Sequence, residues 1–458
     1  MSYSEPGQRD ALKRHGFRRP TLHVVTSRLA RIQFAAVVIL ALVAPSLNRG
    51  PFAWLPFVTL FDLAEPPLAA GPLSLMPASL GLTWALARLL ECPRRPWVWG
   101  RAGVALPLLG LTAIMVFSLE LTIDHRTLVI LLSLALVWSI YLFVVNEKPA
   151  LSLPLALVVL VQGTVAIGQF ISQRNLGVSL LGEPVLDPQL SGIAVVWARG
   201  RRWLRAYGLT GHPSVLGATL AVLLLLLADD IGEARGWRQV GYTLVASIGA
   251  LGLLTTFSRS AWLAFAMGLL LWFLRRTIGK QQAGRSQNER APLRRSQFLV
   301  PVLAAAVFLL LHHDLVASRF FHLETPIEAR SIRERQQDLS LAIQLIRQHP
   351  WRGVGANNYL VAVRALEPNS RTVHNVPLLT AAELGLPGAA LWVWLGLTGL
   401  LHPVSAAWPA WTAMLVTNVF DIALYVSNSF FASVVFGLLS AQISLRGPSD
   451  HWRPSTKP

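Results

Sequence analysis

Apolar residues in this chain gather in windows of about 17 to 25 residues, and short polar segments rich in arginine separate the windows. A helix rises about 1.5 Å per residue, so such a window is long enough to cross a hydrocarbon core of about 30 Å. A barrel would have shorter alternating segments, so helices are the predicted spanning form. The pattern predicts about twelve transmembrane helices, at residues 31–47, 68–90, 103–121, 127–145, 151–171, 213–228, 238–255, 258–274, 297–312, 376–401, 405–423 and 427–444.

Composition supports an integral membrane protein over a soluble one. Of the 458 residues, 53% are hydrophobic and 14% are charged. The net charge of +17 would suggest nucleic acid if the basic residues formed one soluble face, but they lie beside the apolar windows, so no nucleic-acid partner is expected. Cys92 is the single cysteine, which excludes an intramolecular disulfide.

The windows divide the chain into five segments. These are a basic tail at 1–30, nine spans within 31–311, a long loop at 312–375, three spans within 376–444, and a second tail at 445–458. The run from Phe52 to Leu63 is too short to cross and is interpreted as an interfacial piece.

Loop charges set the expected orientation. With the N-terminus inside, an alternating count of spans places the basic loops near Arg94, Lys148, Arg235 and the linker 275–296 on the cytoplasmic side, as the positive-inside rule requires. Both termini are then cytoplasmic, in a multi-pass protein of the cytoplasmic (inner) membrane. The long loops 172–212 and 312–375 face outward.

The outward loops hold arginine but no lysine, and the whole chain has four lysines. Two interpretations stay open: long loops escape the charge rule, or several guanidinium groups form an anion site on the outer face. The arginines are Arg174, Arg199, Arg201, Arg202 and Arg205 in the first loop, and Arg319, Arg330, Arg333, Arg335, Arg347, Arg352, Arg364 and Arg371 in the second.

The second outward loop has the pattern of a small folded cap. Apolar residues at helical spacing predict a helix over residues 331–348 that ends near His349-Pro350. Gly353-Val354-Gly355 predicts a turn, and Asn357 is the expected cap of a short helix through Leu366.

Several segments, taken together, carry a family resemblance. Arg335 is followed by the helix into His349-Pro350-Trp351-Arg352-Gly353-Val354-Gly355-Ala356-Asn357-Asn358-Tyr359, and then by His374-Asn375 and Glu383-Leu384-Gly385-Leu386-Pro387-Gly388. Leu204 to Gly217 and Thr255 to Ser260 fit the same pattern. Over roughly residues 195–395 the chain resembles the O-antigen ligase and polymerase superfamily. The resemblance implies an all-α polytopic membrane protein of GT-C-like fold, with a large helical extracytoplasmic loop.

The resemblance also implies a chemistry. Members transfer a glycan from a polyprenyl (undecaprenyl) diphosphate carrier to an acceptor on the extracytoplasmic face, without a metal or other cofactor. By resemblance, His374 would be the general base, and Arg205, Arg259 and Arg335 would bind the diphosphate, with Arg371 and Glu383 as further substrate-binding candidates. The departing diphosphate needs fixed cations and the acceptor hydroxyl needs a base, so the arginine-rich loops fit this reaction.

Each candidate also has a plainer interpretation. A lone histidine such as His374 often makes an interfacial hydrogen bond, but its context favours the base role. Arg259 could anchor a short turn, although a cation on the catalytic face is preferred. His212 and His349, each before a proline, are interpreted as turn residues. Glu383, nine residues past His374 and about 13 Å deeper on a continuous helix, is either functional or bonded to a neighbouring helix. Asp421 is similarly ambiguous. His312-His313-Asp314 has poor spacing for a shared metal.

Two main functions remain in competition. The first is a membrane glycosyltransferase of lipopolysaccharide or other cell-envelope polysaccharide; ligase-type transfer is preferred on family frequency, although polymerisation and transfer to protein use the same pattern. The second is a solute transporter of the bicarbonate type, which would place polar or broken helices and inverted repeats near the midplane. No convincing repeat is visible and the charges gather in the outer loops, which favours the enzyme over a transporter or a structural scaffold.

Overall fold

The computed structural model describes residues 22–43, 80–86, 88, 96–119, 125–282, 296–321, 326–425 and 430–445. This part of the chain is mostly helical, as predicted. Its helices are α1 Leu22–Val43, α2 Ala102–Phe117, α3 His125–Glu147, α4 Ser152–Ser172, α5 Pro213–Leu226, α6 Ala228–Glu233, α7 Trp237–Thr255, α8 Arg259–Gln282, α9 Ser296–Leu311, α10 His313–Phe321, α11 Pro326–Gln348, α12 Tyr359–Leu366, α13 Val376–Leu400, α14 Trp408–Phe420 and α15 Phe430–Ser444.

Each predicted window other than 68–90 overlaps one of these helices, whereas α6, α10, α11 and α12 lie almost entirely outside the windows. Most of window 68–90 lies outside the described residues, as does Phe52–Leu63. By length and apolar composition, α3, α4 and α13 are long enough to cross a membrane, and α9 with α10 would be a fourth crossing if this pair, bent by 78°, is one span. The helices α2, α5 and α15 are apolar but shorter. The count of about twelve crossings therefore stays a prediction.

Two boundaries differ from those expected. The helix α1 begins at Leu22, inside the segment predicted as a tail, and most of that tail lies outside the described residues. The helix α8 continues to Gln282, so Arg275 and Arg276 are helical residues and do not begin a linker. Both arginines are buried and bind Asp229 of α6, which explains why two charges extend the apolar helix.

A β-hairpin interrupts the predicted all-α fold. Strands β1 (Val195–Ala198) and β2 (Arg201–Leu204) pair antiparallel, with Ala198 opposite Arg201. The two-residue turn holds Arg199 and Gly200 at positive φ, the geometry that suits the twist of a tight hairpin. The hairpin ends at Leu204, so Arg205 follows directly after β2.

Helix α13 is broken, not continuous. At Gly385 the backbone has φ 72° and ψ −179°, and Pro387 follows two residues later. In a continuous helix the Leu386 N–H would bond Ala382, and Pro387 has no N–H to offer to Glu383. The break therefore leaves two carbonyls and one N–H in need of partners.

The loop after α11 supplies all three partners. Val354 N–H donates to Ala382 O at 2.9 Å, Gly355 N–H donates to Glu383 O at 2.9 Å, and Leu386 N–H donates to Pro350 O at 2.7 Å. Non-helical backbone in a membrane protein is tolerated where protein satisfies it. The loop and the broken helix therefore form one unit. The break lies two residues after Glu383, and the depth expected for Glu383 stays a prediction.

The capping residue of α12 was predicted wrongly. Asn358 occupies the N-cap, without a side-chain capping bond, and the helix starts at Tyr359. Asn357 lies one residue earlier at φ 57°, a conformation that asparagine tolerates better than most residues. Its backbone is used instead, since its N–H donates to the carboxylate of Glu383.

We expect Gly353→Ala to destabilise the protein strongly. Gly353 has φ 65°, and a Cβ there would lie 2.2 Å from the carbonyl oxygen of Glu383. Gly200→Ala is the matched control, because Gly200 has φ 69° with nothing within 4 Å of the added Cβ. Both variants carry the left-handed strain of about 1–2 kcal/mol, so a lower midpoint of thermal unfolding in detergent for Gly353→Ala alone measures the loop-to-helix contact. Equal midpoints would contradict this packing.

Candidate functional site

The segment after β2 is held by a glutamine inside α4. The Gln169 carbonyl accepts the N–H groups of Tyr207 and Gly208 at 3.0 and 2.8 Å, and its amide donates to Gly208 O and to Glu183, both at 2.8 Å. Gln169 is fully buried. One side chain thus replaces the hydrogen bonds that Tyr207 and Gly208 would have in a helix.

A second glutamine of α4 repeats this arrangement one residue further along the segment. The Gln162 carbonyl accepts the N–H of Leu209 at 2.9 Å, and its amide donates to the carbonyls of Leu42 and Val43 at 2.8 and 2.9 Å. Gly208 has φ 57°, and a Cβ there would lie 2.5 Å from the Gln162 carbonyl oxygen. The segment is fixed and requires glycine at this position.

This fixed segment carries Arg205 across the turn between α7 and α8. The Ala206 N–H donates to Thr255 O at 2.9 Å, and the buried Arg205 side chain donates through Nε to Thr256 O at 2.8 Å. Arg259, three residues after Thr256, begins α8 and donates to the carbonyl of Arg319 at 2.9 Å. Arg205 and Arg259 are therefore positioned on one turn.

Helices α5 and α8 begin side by side at this place. A Cβ on Gly217, in the first turns of α5, would lie 2.8 Å from the Ala261 Cβ and 3.3 Å from the Ser258 Cβ at the start of α8. Glycine therefore permits the close approach. The two helix N-termini, each with a partial positive charge, lie next to Arg205.

His374 is paired with a carboxylate. It precedes α13, whose N-cap Asn375 accepts the N–H of Leu378 at 2.9 Å. His374 Nδ1 lies 3.4 Å from Asp421 Oδ1, and Asp421 follows the end of α14. An ionised carboxylate can only accept, so this contact places the proton on Nδ1 and leaves Nε2 as the acceptor.

His212 lies close to charged residues from other segments of the chain. Arg205, Asp421, His374 and Arg335 all act on the charge of this imidazole. These five residues, which we name the His374 cluster, come from four segments of the chain. The cluster unites three of the residues predicted from sequence, Arg205, Arg335 and His374, and Arg259 adjoins it through the Thr256 turn.

One face of α11 is fastened to the segment before His374. The carboxylate of Asp338, which is buried, accepts the backbone N–H of Arg371 and interacts with His374. The exposed Arg371 side chain binds Glu334 at 3.2 Å, one helical turn before Asp338. Arg335 lies on α11 between these two acids, so the same contacts set its distance from His374.

Glu383 has structural partners. Its carboxylate is buried and accepts the Tyr425 hydroxyl at 2.7 Å and the backbone N–H groups of Asn357 and Tyr359. It therefore joins the docked loop, α13 and the segment after α14. Binding of substrate by Glu383 stays a prediction, and these bonds give the carboxylate a role in holding the loop.

The His312-His313-Asp314 motif lies at the bend between α9 and α10. The His312 ring packs against Phe170 and Phe308, with centroids 5.1 and 4.7 Å apart. Asp314 binds the side chain of Arg199 in the hairpin turn at 2.8 Å and that of His313 at 2.6 Å. These contacts attach the hairpin to α10, and among the described residues no group of three or more possible metal ligands is present.

The sequence of the chain was compared with models of known protein families. Residues 244–393 match the model of the O-antigen ligase family. This match supports membership of the O-antigen ligase and polymerase superfamily. The match covers about one third of the O-antigen ligase-like chain and includes Arg259, Arg335 and His374, whereas Arg205 and Asp421 lie outside it. No curated protein matches the chain. Membership and apolar helices together support an O-antigen ligase- or polymerase-like membrane enzyme.

Sequence reasoning missed part of the site. It assigned His212 to a turn and left Asp421 ambiguous, and it overlooked Asp338, Gln162 and Gln169. A signal for the glutamines existed, because Gln162 and Gln169 lie seven residues apart on one face of an apolar span, where buried amides need partners.

We expect Gln169→Leu to loosen the segment that carries Arg205 and His212. Leucine leaves two N–H groups and one carbonyl of the backbone unpaired, at about 1–3 kcal/mol for each buried group. Hydrogen exchange at the Tyr207 and Gly208 amides should accelerate and the unfolding temperature should fall. Gln189→Leu is the control, since Gln189 is exposed; equal exchange in both variants would contradict the role of Gln169.

Proposed function

We propose that this protein moves a glycan from a polyprenyl diphosphate carrier to an acceptor hydroxyl on the extracytoplasmic face of the cytoplasmic membrane, as an O-antigen ligase does. The observation that carries the proposal is the His374 cluster. It combines a carboxylate-oriented imidazole with guanidinium groups from two separate segments.

The diphosphate is assigned to the region around Arg205. Two helix N-termini contribute partial positive charge, and Arg205 and Arg259 add full charges at the same turn. Bonds to main-chain carbonyls help to hold both arginines in place. Fixed cations of this kind stabilise the charge that grows on a departing diphosphate without rearrangement.

His374 is assigned the proton transfer. The acceptor hydroxyl gives its proton to Nε2, and its oxygen forms a bond to the anomeric carbon of the donor glycan. The bond between that carbon and the phosphate oxygen breaks, and the diphosphate leaves with the electron pair. Asp421 holds Nδ1–H and stabilises the imidazolium that results.

Arg335 is assigned to the donor as well. Its helix is fastened to the His374 segment through Asp338 and Glu334, so Arg335 and His374 keep one relative position. Arg371 is engaged with Glu334 and is exposed, which assigns it to this fastening and, secondarily, to a glycan or lipid headgroup at the rim. Ligase-type transfer to a lipid-linked acceptor is preferred, and polymerisation and transfer to protein remain the other outcomes of an acceptor screen.

We expect His374→Ala to lower turnover by about 10²- to 10⁴-fold, the usual contribution of a general base. The assay is product formation from undecaprenyl-diphosphate-linked glycan and a lipid acceptor by protein in nanodiscs, with chelator present. His349→Ala is the control, because His349 is an exposed histidine at the end of α11. Full turnover by His374→Ala would remove it from the base role, and chelator-sensitive product would contradict the metal-independent mechanism.

Asp421→Asn should lower kcat and change KM to a smaller extent. Asparagine keeps the size of the side chain but removes the charge that stabilises the imidazolium as it forms, which is a transition-state effect. Steady-state kinetics with varied donor concentration separate the two constants. An unchanged kcat with a raised KM would indicate that Asp421 contributes to donor binding alone.

A further inference from the structure

His212 has two nitrogen atoms in different situations. It is the N-cap residue of α5, and its Nδ1 accepts the N–H of Ser214 at 3.2 Å. A neutral imidazole that accepts at Nδ1 carries its proton at Nε2. The cap therefore fixes the tautomer and makes Nε2–H a donor. Within the described part of the chain, Nε2 makes no hydrogen bond to protein.

The ring of His212 is held in one orientation. The Tyr207 ring packs edge-on against it, with centroids 6.1 Å apart, and the Tyr207 hydroxyl is itself fixed by the N–H of Ala194 at 2.8 Å. The Thr210 hydroxyl lies 2.9 Å from the carbonyl oxygen of His212. With the Nδ1 bond, these contacts leave the imidazole little freedom. A donor held in this way is preorganised for a ligand.

His212 is also uncharged and reachable. Desolvation by the surrounding protein and the nearby Arg205 charge lower the pKa of the imidazole to about 4, so it is neutral near pH 7. Part of its surface is nevertheless exposed. Its position at the start of α5 places this exposed surface beside the helix N-termini and near Arg205.

We propose that the Nε2–H of His212 donates a hydrogen bond to a diphosphate oxygen of the lipid-linked donor. This inference rests on the proposed function and adds a specific contact to it. His212 is not a second base, because its Nδ1 is occupied by the Ser214 N–H and its Nε2 carries the proton. It is a neutral donor where a further cation would be repelled by Arg205 and Arg335.

The variant His212→Ser distinguishes the proposed contact with the diphosphate from the role of His212 as a helix cap. Serine is among the best N-cap residues, so His212→Ser keeps a side-chain acceptor for the Ser214 N–H but removes the Nε2–H. His212→Ala removes both. The unfolding temperature should therefore fall for His212→Ala and stay near that of the unsubstituted protein for His212→Ser.

The test is binding of undecaprenyl diphosphate and undecaprenyl monophosphate to the full-length protein in nanodiscs, measured by native mass spectrometry. We expect His212→Ser to weaken diphosphate binding by roughly 10- to 100-fold, the effect of one hydrogen bond to a charged group. Monophosphate binding should change less, so the preference for diphosphate should shrink. The deficit should persist from about pH 6 to about pH 9, because a neutral donor does not titrate in this interval.

The outcomes distinguish this inference from the proposed function. Unchanged diphosphate affinity in His212→Ser, with tight binding by the unsubstituted protein, would overturn the inference, leave His212 as a helix cap alone, and leave the glycan transfer intact. An equal loss for both lipids would also overturn it, since the contact would then not be to the diphosphate. An unsubstituted protein that binds neither lipid would overturn the proposed function itself.

Discussion

The site depends on the hydrogen bonds made by backbone groups that are not in helices, in a protein whose apolar helices indicate a membrane environment. Unpaired N–H and carbonyl groups are strongly disfavoured away from water, so each irregular segment needs fixed partners. Gln162 and Gln169 supply them for residues 207–209, and the loop 350–359 and the broken helix α13 supply them for each other. These bonds turn two irregular segments into rigid parts of the fold.

Rigid segments allow like charges and two imidazoles to be held in a small space. Arg205 is fixed by a main-chain carbonyl, and the segments of Arg335 and His374 by the α11 contacts. Positive groups that cannot move apart keep an anion-attracting field without a bound ligand. The diphosphate of the proposed donor would relieve their mutual repulsion, so binding energy and charge stabilisation would arise from the same arrangement.

Hydropathy predicted the helices well, because apolar windows depend on local composition alone. The hairpin was missed because its two strands have four residues each and carry Arg201 and Arg202. His374 and the arginines were found through the family resemblance. Asp421 was left open because its role needs a partner 47 residues away. His212 was assigned to a turn because a histidine before proline gives no sign of which nitrogen the helix uses.

The amide of Gln162 extends the support of the site to the beginning of the chain. It donates to the carbonyls of Leu42 and Val43, the last residues of α1, while its carbonyl holds the segment next to His212. The C-terminal end of α1 and the segment that leads to His212 thus share one side chain. A displacement of α1 would therefore act on the segment before His212 through the amide of Gln162.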